Sequence, residues 1–211
     1  EPWGRNSLRV RSTMMGDIQE TDYALLPITK AAGAVVEITQ HQGVIINGKI
    51  KAVLTEDPWS KTGTIAYYNQ ENRLLLEEQG WHGALNLYAR KFKPILGGDY
   101  RLTVSFESQE EEKLFGMGQY QQEVMDLKYC SLELAHRNSQ ASVPFLLSSR
   151  GYGFLWHNPA VGKVTFGKNV TQWESYSTKQ LDYWITAGDT PAEIEEAYAE
   201  ATGKVPMMPE Y

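Results

Sequence analysis

The sequence predicts an all-β chain, an antiparallel sandwich or barrel, closed by one short helix near its C-terminus. Three observations carry this. Short runs with strand chemistry recur roughly every 8–12 residues, with turn signals between them. Several of these runs alternate apolar and polar residues with period two. The aromatic supply is large, with 12 Tyr, 6 Trp and 6 Phe in 211 residues, and aromatic side chains suit the half-buried face of a sheet.

Taken in order, "SLRVR" at 7–11 alternates, and "AVVEITQ" at 34–40 is β-branched and mostly apolar. "VIINGKIKAVL" at 44–54 places Asn47-Gly48 between two β-prone runs. This predicts a two-residue type I′ hairpin, because both residues tolerate positive φ. "TIAYYN" and "RLLLEE" flank Gln70, Glu71 and Asn72 as a second hairpin. "ALNLYARKF" at 84–92 and "YRLTVSFE" at 100–107 alternate, and the latter puts Leu102, Val104 and Phe106 on one face. "VPFLLSS" pairs with "GFLWHN" across Arg150 to Gly153, and "KVTFG" with "NVTQWESY" across Gly167, Lys168 and Asn169. "QLDYWITAG" at 180–188 alternates through Leu181, Tyr183 and Ile185.

The helix lies in "DTPAEIEEAYAEATG" at 189–203. Thr190 is the N-cap, Pro191 occupies the first turn where its missing N–H costs nothing, and Glu193 completes a capping box. Ile194, Ala197, Tyr198 and Ala201 form one narrow apolar face. Gly203 stops the helix, and Pro206 and Pro209 prevent its continuation. So short a helix is unstable alone, so it must dock on the sandwich or on a neighbouring domain.

Composition excludes several classes. Apolar residues make up 42% and charged residues 22%, the balance of a globular protein. The formal net charge is −6 and no basic block occurs, so neither nucleic acid nor an anionic membrane has an electrostatic footprint. No apolar run is long enough to span a bilayer. Cys130 is the only cysteine, which rules out an intramolecular disulfide and fits a small strand residue. The cytoplasm is the expected compartment, with periplasm and secretion left open.

Motifs for chemistry are sparse. There is no GxSxG, HExxH, CxxC or P-loop. The four histidines, His41, His82, His136 and His157, are never three to five residues apart, so no local metal pair forms and no metal or cofactor is expected. Glu110, Glu111 and Glu112 read as a solvated loop, and Glu193, Glu195, Glu196 and Glu200 as the wet side of the helix. One stretch differs: "FGMGQYQQEVMDLKYCSLELAHRNSQASVPFLLSS" at 115–149 gathers Gln119, Tyr120, Gln121 and Gln122, then His136, Arg137 and Asn138. Amides, an aromatic ring and a guanidinium supply the planar donors and stacking face that sugars require.

Three elements of this chain resemble glycoside hydrolase family 31. "KLFGMGQYQQ" is similar to that family's "YGLGE/Q" element, and "VPFLLSSRGYGFLWHNP" to its "PFYxSxxGYGVFxxN" hairpin. "DYWITAGDTPAEIEEAYAEATGKVPMMPEY" resembles its "DYYFIxGxTPxEVIxxYxxLTGRPPLPPxWALGF" junction. They stand in the family's order and cover about residues 114–211; residues 1–113 match in strand-rich character, with "LRVR" at the opening strand. "TQWESYSTKQLDYWITAG" leans toward the bacterial α-xylosidase branch.

The resemblance implies a galactose-mutarotase-like β-sandwich over 1–188. It also implies a helix and Pro-rich connector over 189–211 that lead to a catalytic (β/α)8 barrel outside this chain. Family members are retaining α-glycosidases acting on α-xylosides, α-glucosides or related linkages, and their two catalytic aspartates lie in the barrel. The expected function is therefore that of a non-catalytic domain that packs on the barrel and lends a loop to the sugar site. Carried over residue by residue, that loop comprises Gln119, Tyr120, Gln121, His136, Arg137 and Asn138. Gln119 stands where many members have Glu. The expected partners are an α-glycoside and the barrel, with no nucleic acid and no membrane; a homo-oligomer stays open. If the helix packs on the barrel, Ile194, Tyr198, Met207 and Met208 are exposed in this chain.

Two other readings compete. A free-standing carbohydrate-binding module would use Trp59, Trp81, Trp156, Trp173 or Trp184 as platforms, although most of these should be core. An aldose-epimerase-like enzyme would need a paired acid and base around His82 or His136.

Overall fold

The computed structural model describes residues 1–27, 33–57, 62–80 and 88–207. Trp59, Trp81, His82, Met208 and Pro209, and the start of the expected strand at 84–92, lie outside the described residues. Within them the chain forms fifteen strands and one helix. In chain order these are β1 (Ser7–Thr13), β2 (Val35–Ile38), β3 (Gln42–Asn47), β4 (Ile50–Glu56), β5 (Gly63–Tyr68), β6 (Leu74–Glu77), β7 (Arg90–Pro94) and β8 (Tyr100–Glu107). There follow β9 (Leu114–Gln119), β10 (Ser131–Leu134), β11 (Ala141–Ser148), β12 (Tyr152–Trp156), β13 (Gly162–Phe166), β14 (Val170–Thr178), β15 (Gln180–Ala187) and α1 (Pro191–Thr202).

The strands make three antiparallel five-stranded sheets, ordered β1-β15-β12-β11-β9, β10-β13-β14-β8-β7 and β2-β3-β4-β5-β6. Their inner faces share one core. Leu8, Phe154, Tyr183 and Ile185 come from the first sheet, Leu102, Val104, Phe106 and Trp173 from the second, and Ile50, Tyr67 and Leu75 from the third. Phe154 sits at the aromatic centre, 5.0 Å from Tyr183, 5.1 Å from Trp173 and 5.4 Å from Phe106 between ring centroids. Such contacts add to the area term of burial. Pro94 ends β7 at the edge of its sheet, where a missing N–H disturbs no ladder.

The predicted antiparallel pairings recur with small shifts. At the first hairpin Asn47 opposes Ile50, so the two turn residues are Gly48 and Lys49, one later than expected. Asn47 is held in the strand by its own side chain, whose Nδ2 donates to the carbonyls of Gly4 and Ser7 at 2.8 and 2.7 Å. Gly48 alone takes the positive φ.

Strand β15 is buried along its whole length, because the first sheet is covered on both faces. On the second face α1 packs with Trp3, Leu25, Phe145, Leu155 and Trp184. Ile194 seats over Gly153 and Gly188, where an added Cβ would come within 2.6 and 2.8 Å of it. Tyr198 stacks on Phe145 with centroids 3.9 Å apart. The helix therefore docks on its own sandwich, and the expectation that Ile194 and Tyr198 form an exposed patch is corrected; Met207 is exposed. At the start of α1, Thr190 Oγ1 accepts the Glu193 N–H, while the Glu193 carboxylate accepts the N–H of Asp189 rather than that of Thr190.

Glu112 also departs from expectation. It is buried, and its carboxylate accepts from the Ser148 and Tyr152 hydroxyls. A run of three glutamates says nothing of which one a turn folds inward.

Candidate functional site

The "FGMGQ" stretch forms β9, and its backbone explains its residues. Gly116, Met117 and Gly118 take φ of 98°, 69° and 88° in succession. A Cβ at Gly116 would lie 2.7 Å from the Phe145 carbonyl oxygen, and one at Gly118 would lie 2.3 Å from that of Ala141. Only glycine meets both demands. Opposite, β11 shifts register between Ser142 and Leu146, around Pro144. This irregularity, a bulge-like re-aiming of the strand, delivers Gln119 opposite Ala141 and carries the chain into Tyr120 and Gln121.

Ser142 is the hub of the site. Its Oγ lies 2.7 Å from Tyr120 Oη, which also donates to the Glu133 carbonyl at 2.9 Å. Its backbone N–H donates to His136 Nδ1 at 3.3 Å, which makes Nδ1 the unprotonated nitrogen. Arg137 and Gln140 exchange both main-chain hydrogen bonds at 3.1 Å, leaving Asn138 and Ser139 as a two-residue turn. Arg137 Nε donates to Glu133 Oε2 at 2.9 Å. Tyr120 is half-buried, and burial pushes its phenol up. Gln119, Gln121, His136, Arg137 and Asn138 are exposed.

Tyr120, His136 and Arg137 are thus gathered through Ser142 and Glu133, with Gln119 beside them and Asn138 at the turn. Gln121 extends past this network on the exposed side. The arrangement offers amides, an imidazole, a guanidinium and a ring edge. Its carboxylate, Glu133, is held by Arg137. Among the described residues no group of three or more His, Cys, Asp or Glu could hold a metal. Trp156, Trp173 and Trp184 are buried, which removes them as stacking platforms for a free-standing module.

A second polar cluster has no counterpart in the sequence reading. Arg9 is 0% exposed. Its Nε and Nη2 donate to the two Asp182 carboxylate oxygens at 2.9 and 2.6 Å, and Nη1 donates to Asp22 at 2.6 Å. The guanidinium also lies 4.3 Å from the Trp3 ring centroid. His157 Nδ1 faces Asp182 Oδ2 at 3.1 Å, while Nε2 accepts the backbone N–H groups of Tyr23, Ala24 and Leu25 at 3.2, 3.0 and 3.4 Å. Burial pushes the Asp182 carboxyl up, but its bonds from Arg9 and His157 prevail and hold it below the ordinary aspartate value. The cluster pins residues 19–26 across the first sheet, where Leu26 N–H caps the Ala201 carbonyl of α1 at 2.7 Å. A signal was available: Arg9 and Asp182 occupy the strand face they share with Trp184, whose bulk implies cover on that face.

No family model matches the chain. Full-length similarity is nonetheless high. The family 31 glucosidase ORF2 of Pseudescherichia vulneris, described as uncharacterized, is 48% identical over 229 residues, covering 100% of this chain and 42% of that protein. An α-xylosidase of Saccharolobus solfataricus is 31% identical over 121 residues, covering 53% of this chain and 17% of its own length. Among solved structures, a family 31 α-xylosidase from a soil metagenome, crystallised with xylose, superposes with a TM-score of 0.92 at 48% identity, covering 99% of this chain and 32% of that one. The chain thus spans well under half the length of these relatives. It belongs to glycoside hydrolase family 31, in which it corresponds to the N-terminal β-sandwich portion.

Proposed function

We propose that this chain is the non-catalytic sandwich of a retaining α-glycosidase acting on α-xylosides or α-glucosides. Residues 1–188 form the sandwich, and 189–211 form the helix and connector toward a (β/α)8 barrel that supplies both catalytic aspartates. The end of β9 with Gln119, Tyr120 and Gln121, and the β10–β11 turn region with His136, Arg137 and Asn138, reach the barrel mouth and form part of the sugar-binding wall. The observation that carries this reading is the 48% identity, over essentially the whole chain, to an α-xylosidase crystallised with xylose. The site's chemistry agrees, since its polar groups are held in place for binding. Among the described residues no helix is long and apolar enough to cross a membrane. A cytoplasmic location fits a single free thiol, half-buried at Cys130.

The test compares two proteins, this 211-residue chain and the longer protein that carries it, with aryl α-xylosides and α-glucosides. The longer protein hydrolyses one of them with retention of anomeric configuration, and this chain hydrolyses neither. Turnover that stays with the chain through repurification contradicts the reading.

A further inference from the structure

The buried Arg9–Asp182–His157 cluster is expensive. It removes a guanidinium, a carboxylate and an imidazole from water, and such groups seldom gain net stability over apolar replacements. What they hold is the segment at 19–26, and this segment forms one wall of a cavity of about 430 Å³. The cavity lies where the β12–β13 loop, the β14–β15 turn and the β7–β8 turn converge on that segment. Its volume falls within the range of small-molecule sites.

We propose that this cavity binds a neutral pyranose unit of an oligosaccharide, at a second sugar site separate from the Gln119–Asn138 turn. The chemistry of the walls carries this. Tyr23 is 59% exposed, yet its backbone is fixed by its own N–H bond to His157, and its ring lies 5.8 Å from the imidazole. An exposed ring on a fixed backbone beside a polar hollow presents an apolar face for sugar C–H groups while the hollow's donors and acceptors meet the hydroxyls. Across from it stand the Asp99 carboxylate, oriented by the Ser177 hydroxyl at 2.6 Å, and the exposed Lys179. The Asn158 amide is preset by bonds from Nδ2 to Thr178 Oγ1 and the Gln180 carbonyl at 3.1 and 3.3 Å. Gln180 in turn exchanges bonds with the backbone of Gln19 at 2.7 and 3.3 Å, tying both walls together. Rigid walls reduce the ordering cost of binding.

The proposal is tested on the isotope-labelled 211-residue chain by heteronuclear NMR, titrating methyl α-xyloside, methyl α-glucoside and isomaltotriose. Saturable shifts are expected at the amides of Thr21, Tyr23, Asn158 and Lys179 with at least one of these sugars. Tyr23→Ala raises the dissociation constant about tenfold or more, whereas Tyr23→Phe, which keeps the ring, stays near the parent. Both substitutions are on an exposed side chain, and their spectra report directly that the fold is retained. Absence of saturable shifts at these amides with all three sugars overturns the proposal, as does unchanged affinity in Tyr23→Ala. Shifts confined to Gln119–Gln121 and His136–Asn138 also overturn it while supporting the turn as the sugar wall, so the two sites are read independently.

Discussion

Arg9 and Arg137 each hold a carboxylate, in opposite surroundings. Arg9 is fully buried, grips both oxygens of Asp182, and reaches Asp22 besides. Arg137 is exposed on a turn and grips Glu133 four residues away. The buried pair fixes a segment of chain, and loss of its carboxylate leaves the guanidinium with Asp22 alone. The exposed pair contributes little to folding, and under the proposed function its guanidinium exchanges Glu133 for a ligand or a neighbouring domain. Polar residues in one sandwich thus serve positioning where they are buried, and the proposed recognition falls to those that are wet.

The sharpest way to break this contrast is Asp182→Ala. It removes the two-pronged Asp182 contact from the buried Arg9 guanidinium, leaving it Asp22 alone, and is expected to cost about 3–5 kcal/mol, read as a lowered urea midpoint. A midpoint close to the parent's would show that Arg9 does not depend on its partner. Acid probes the same pair. The folded carboxyl of Asp182 titrates below the ordinary aspartate value. Its contribution is therefore fully present above about pH 4 and is lost as pH falls through the depressed folded value. In Asp182→Asn that part of the acid limb is absent, and denaturation curves collected below about pH 4 check this.

Next in size is Ile194→Ala, which empties the seat over Gly153 and Gly188 and is expected to cost about 2–5 kcal/mol. Thermal unfolding would report it, and a negligible change would mean that α1 is held elsewhere than on its own sandwich. The smallest folding effect belongs to Arg137→Ala, within about 0.5 kcal/mol. In the longer protein, however, it is expected to raise KM for an aryl α-glycoside with little change in stability. A loss of stability comparable to that of Asp182→Ala would erase the distinction between the two arginines.

Much of the sandwich was legible because period two and turn chemistry are local signals. Leu102, Val104 and Phe106 face the core as their alternation demands, and Gly167 to Asn169 turn where expected. The hairpin at Asn47 slipped by one residue because tertiary contacts to Gly4 and Ser7 outweighed turn preference. Helix α1 was visible from its cap and its stop, but its docking surface depends on Gly153 and Gly188, which are distant from each other in sequence. The candidate turn is proposed from its composition and its family resemblance. Its geometry rests on Ser142 and on the backbone of Gly116 to Gly118, neither of which announces itself as a hub. The Arg9 cluster joins residues up to 173 positions apart; strand alternation marks the covered face that Asp182 shares with Trp184, but not which residues meet there.

The central claim is that chemistry resides outside these 211 residues while the chain shapes the sugar site. The most direct measurement is the hydrolysis of an aryl α-xyloside and an aryl α-glucoside by the purified chain and, side by side, by the longer protein. The account predicts turnover with retained configuration by the longer protein and none by the chain. Turnover by the chain that survives repurification would contradict it.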